Sequence, residues 1–63
     1  MLEQQRLREQ FQALLCQERQ ALTAYSELAA TVDDPALRDQ VEQLWRDKLR
    51  HVELTERLLE IVD

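Results

Sequence analysis

Sixty-three residues suffice for one small domain, and a chain this short buries too little apolar surface to be strongly stable alone. With no Gly and a formal net charge of −5, it lacks both a glycine loop to cradle phosphate and a basic face for a nucleic-acid backbone. A single Cys excludes an internal disulfide and no apolar run approaches a membrane span, so a cytoplasmic protein is expected, with no nucleic-acid or membrane partner and with self-association as its staple.

The first segment is rich in Leu, Gln, Glu, Arg and Ala, which lose little conformational freedom on entering a helix. Its inward residues are spaced four and three apart as Leu7, Phe11, Leu14, Glu18, Ala21, Tyr25, Leu28 and Val32, a sustained heptad. Beside that row runs a second, Leu15, Leu22 and Ala29, which makes the apolar stripe wider than one partner helix covers. The spacing predicts a helix over about residues 2–31.

A turn follows over about residues 32–35. Thr31 and Val32 are β-branched and weaken the helix end, Asp34 is a suitable N-cap, and Pro35 suits the first position of a following helix. The next segment, about residues 36–62, repeats the pattern as Leu37, Val41, Leu44, Lys48, His51, Thr55, Leu58 and Val62, with a flanking row of Trp45, Val52 and Leu59. Each helix would be roughly 40 to 45 Å long at about 1.5 Å per residue. One short turn makes the two antiparallel neighbours.

The expected fold is therefore all-α, an antiparallel two-helix hairpin. The flanking rows, Leu15 and Leu22 with Trp45, Val52 and Leu59, are expected to meet a second hairpin, so that a homodimer closes a four-helix bundle or a higher homo-oligomer forms. Trp45 is the expected anchor of that contact.

Three polar residues interrupt the apolar rows. With a turn near residues 32 to 35, Glu18 lies opposite Lys48, and His51 stands one helical turn along. Burying a carboxylate, an ammonium and an imidazole is costly unless they satisfy one another or bind something. The layer is either a polar lock that sets helix register and partner choice, or a site.

Glu18 and Tyr25 seven residues apart, His51 on the next helix, and the turn Asp34-Pro35-Ala36-Leu37 together resemble the ferritin-like di-iron carboxylate proteins, most closely the short two-helix encapsulated ferritins. In that family one helix supplies a Glu and, seven residues on, a Tyr, while the next supplies Glu-x-x-His. The resemblance runs from Glu18 onward and implies a ferritin-like bundle, with iron binding and ferroxidase-like oxidation at a site completed between chains. It implies Glu18 and His51 as metal ligands, with Tyr25 nearby.

At the position three before His51, where the family has a bridging Glu, this chain has Lys48. A dimeric site with two Glu per chain carries four negative charges, which two divalent ions neutralise. With Glu18 and Lys48 from each chain, the layer sums to zero when His51 is neutral. A protonated ammonium only donates hydrogen bonds and ligates no metal, so Lys48 is expected to serve as a built-in cation. Two Glu18 and two His51 across a dimer would still offer four ligands to one tetrahedral divalent ion such as zinc. Nucleophilic catalysis finds no support, because the one His and the one Cys fall on different faces.

Overall fold

A computed structural model describes residues 2–62. Helix α1 spans Leu2–Thr31 and helix α2 spans Pro35–Val62; they pack antiparallel along their lengths, and there is no strand among the described residues. The molecule measures 51 × 14 × 10 Å between Cα extremes, the dimensions of a pair of helices lying side by side.

Among the described residues only Val32, Asp33 and Asp34 lie outside the helices, so α2 begins at Pro35 rather than one residue later. Local chemistry explains this boundary. Asp34 Oδ1 accepts a hydrogen bond from the Ala36 N–H at 3.0 Å, and the Asp34 carbonyl accepts from the Arg38 N–H at 2.9 Å. Asp34 is thus the N-cap, and Pro35 takes the first helical position, where a missing N–H costs nothing.

The end of α1 is closed from the other side of the turn. The guanidinium of Arg38 donates to the Val32 carbonyl from Nε at 3.0 Å and from the terminal Nη2 at 2.6 Å, while Val32 N–H and Thr31 Oγ1 both donate to the Leu28 carbonyl. Carbonyls at a helix C-terminus have no partner within the helix, and a cation is favoured there by the helix dipole. At the far end of the hairpin, Gln4 Nε2 donates to the Val62 carbonyl at 2.7 Å and ties the two ends together. Replacing Asp34 with Ala is expected to lower thermal stability by about 1 kcal/mol. Circular dichroism melting measures it; an unchanged midpoint would leave Pro35 as the sole start signal.

The packing seam differs from the expected row. The side chains that the partner helix covers most are Leu15, Val41, Val52 and Thr55, and Phe11, Glu18, Leu22, Tyr25 and Ala29 on α1 with Trp45, Lys48 and Leu59 on α2 are half-buried beside them. The seam on α1 is therefore 11-15-18-22-25-29-32, still a heptad but rotated by one residue in its alternate layers. Leu7, Leu14, Leu28, Leu37, Leu44 and Leu58, expected to point inward, remain 40–50% exposed.

This corrects the sequence expectation for the outer contact. Leu15 and Val52, assigned there to a second hairpin, are 8% and 5% exposed within one chain and have little surface left to offer another. Leu22, Trp45 and Leu59 are half-buried on the same seam. The face left open is the other row.

Candidate functional site

Each polar residue is placed by its helix register. Glu18 occupies a seam position near the middle of α1, and Lys48 occupies the facing position near the middle of α2. His51 is less than one turn beyond Lys48 and points to the open side, where a seam residue is flanked by the outer row. Thr55, one turn further, is buried, and its Oγ1 satisfies itself by donating to the His51 carbonyl at 2.8 Å.

The three groups meet. Lys48 Nζ lies 3.3 Å from Glu18 Oε2 and donates a long hydrogen bond, 3.5 Å, to Oε1. His51 Nδ1 lies 3.5 Å from the same Oε2. Glu18 is the most enclosed of the three, its side chain 16% exposed against 28% for Lys48 and 53% for His51. Oε2 is shielded from solvent within 3.5 Å of both the Lys48 ammonium and the His51 ring, yet neither is aligned to give it a hydrogen bond. Charge proximity and hydrogen bonding are distinct, and here Oε2 has the first without the second.

The layer forms one wall of a shallow groove of about 270 Å³ lined by Leu14, Glu18, His51, Leu54 and Thr55. The carboxylate edge and the imidazole therefore face an apolar trough between the helices, on the open side. Tyr25 is half-buried on the seam two turns from Glu18, about 10 Å along the helix at roughly 1.5 Å per residue, outside the immediate cluster.

The other side of the hairpin is different in character. There Arg19 and Glu56 approach at 3.6 Å, both about half exposed, a pairing that the intrahelical spacing rules do not reveal because it joins the two helices. Cys16 is exposed on that side with Gln20 Nε2 3.8 Å from its Sγ. Such surface pairs contribute only about 0–1 kcal/mol.

A di-iron carboxylate centre needs several anionic ligands converging on one point. One chain brings a single carboxylate and a single imidazole there, with an ammonium 3.3 Å from the carboxylate, and no group of three or more His, Cys, Asp or Glu is placed to hold a metal among the described residues. The residues of one chain do not fit a two-metal centre. No described helix is long and apolar enough to cross a membrane. Set against family models, curated proteins and solved structures, the chain matches none.

Proposed function

We propose that this chain is a ferritin-like protein of the iron-binding and iron-oxidising class whose metal site, at the junction between chains, is altered, with Lys48 supplying the positive charge that iron supplies in related bundles. The observation that carries this reading is the meeting of Glu18, Lys48 and His51 in one layer, with Lys48 Nζ against the carboxylate. Glu18 and His51 are the residues that the family resemblance assigns as metal ligands, and their approach to 3.5 Å supports the reading.

The same contact favours a second reading in a different class. A carboxylate and an ammonium that satisfy each other at the centre of a bundle fix helix register and discriminate partners without any metal, because a misregistered partner strands one buried charge. On this reading the chain is a structural module, assembling in the cytoplasm where Cys16 stays a thiol. Two Glu18 and two His51 from paired chains leave room for one zinc-like divalent ion as a third, weaker occupancy.

Ferrous iron titration in air separates these readings. The natural chain is expected to bind iron poorly and oxidise it slowly, while Lys48→Glu, which completes Glu-x-x-His, is expected to gain both properties. Uptake of iron by the natural chain with no further gain in Lys48→Glu would overturn the assignment of Lys48; no uptake by either would leave the structural module.

A further inference from the structure

Near the turn the helices leave a hollow of about 360 Å³ lined by Ser26, Ala29, Glu42, Trp45 and Arg46. Glu42 stands two heptads before Glu56 in the same row of α2, so the hollow belongs to the side where Arg19 meets Glu56 and faces away from His51. It is separate from the Glu18 layer.

Four charged residues are half-buried among those described: Arg8, Glu18, Glu42 and Lys48. Glu18 and Lys48 hold each other, and Arg8 is engaged. Glu42 alone of the four has neither an ion pair nor a hydrogen bond from its side chain among the described residues. A half-buried carboxylate has given up part of its hydration and here receives no donor in return, so it favours a cation brought from outside.

Arg46 follows Glu42 by four residues, the spacing at which a guanidinium closes on a carboxylate along a helix. Here the pair is open, and both charges line the hollow. Ser26 adds a hydroxyl. Thr23, Thr31 and Thr55 each donate to a carbonyl three or four residues back, whereas Ser26 makes no such bond. Trp45 and Ala29 supply the apolar part of the lining, and an indole face also attracts a cation.

We infer that this hollow binds a small zwitterion with an apolar body, of the class of a free amino acid with an apolar side chain. Glu42 takes the ammonium with help from the Trp45 indole, Arg46 and the Ser26 hydroxyl take the carboxylate, and Trp45 with Ala29 covers the apolar group. A ligand of single charge would answer one of the two side chains and leave the other without a partner. The hollow stands at the lower end of small-molecule sites, roughly 300 to 1,000 Å³, which suits a molecule of that size.

Trp45 is the chain's one tryptophan and lines the hollow, so its fluorescence reads occupancy directly. Titration of the full chain with leucine is expected to give a saturable change with a Kd of about 1–10 mM, the range of a small ligand in a shallow site. N-Acetylleucine lacks the ammonium and leucinamide lacks the carboxylate, and each is expected to bind at least about tenfold more weakly. Glu42→Gln and Arg46→Gln are each expected to weaken leucine by at least about fivefold while circular dichroism stays unchanged. No saturable response to leucine, an equal response to all three ligands, or full leucine affinity in either variant would overturn the inference. Closure of Arg46 onto Glu42 in solution would show itself as the first of these. Metal plays no part in the readout, so its outcome is distinct from that of the iron titration.

Discussion

Lys48→Glu is expected to turn a chain that binds ferrous iron weakly into one that binds it well. The variant removes the ammonium lying 3.3 Å from Glu18 and sets a second carboxylate in its place, three residues before His51. Without metal the two carboxylates repel across the helix pair, and the apoprotein is expected to lose about 1–2 kcal/mol of stability. Metal then reverses the sign of the effect. A ligand at a hundred times its Kd adds about 2.7 kcal/mol to the folded state, so the variant should melt lower than the natural chain with chelator and recover when ferrous or zinc ions are added. The natural chain should respond little to either. Melting curves of both proteins with and without metal measure this directly, and a variant that neither falls with chelator nor rises with metal would remove the electrostatic basis of the account.

The second large effect separates the two apolar rows. Leu15→Ala is expected to cost about 2–3 kcal/mol, because Leu15 is 8% exposed and its truncation leaves a cavity in the seam between α1 and α2. Leu14→Ala, one residue away but 41% exposed, should cost under about 1 kcal/mol in dilute solution, where association contributes nothing. Its effect should instead appear as weaker self-association. Urea unfolding at two protein concentrations distinguishes them. If Leu14→Ala proved the more damaging at high dilution, the seam would run along the 7-14-21-28 row after all.

The contrast between Leu14 and Leu15 shows what sequence alone reveals here and what it does not. Two helices and their turn were legible because heptad spacing persists along both segments and because Asp34-Pro35 has one natural use, an N-cap followed by the first helical residue. The meeting of Glu18 with Lys48 and His51 was legible too, since a turn of known position fixes which residues of an antiparallel pair lie opposite. The choice of seam was not. Rows 14-21-28 and 15-22-29 are both Leu, Ala and Leu in slightly different order, about 100° apart on the helix, and either presents an acceptable apolar ridge. On α2 the observed seam gathers Val41, Trp45, Val52 and Leu59, which include two β-branched residues and the large indole, and leaves Leu37, Leu44 and Leu58 outside.

Arg38 was hidden for another reason. Its role depends on the carbonyl of Val32 being left over at the end of α1 and on the chain reversing so that a side chain six residues later can reach it. Nothing in its spacing marks it apart from other basic residues. The same holds for Arg19 with Glu56, which only the packing of α1 on α2 brings together.

The central claim is that the ammonium of Lys48 stabilises the sheltered carboxylate of Glu18. A double-mutant cycle of Glu18→Gln, Lys48→Met and the pair, read by thermal unfolding near neutral pH with chelator, measures that interaction alone. The account predicts a favourable coupling of about 1 kcal/mol, above the usual surface pair because Glu18 is largely enclosed and below a fully buried one because Lys48 keeps some solvent. A coupling indistinguishable from zero would contradict it.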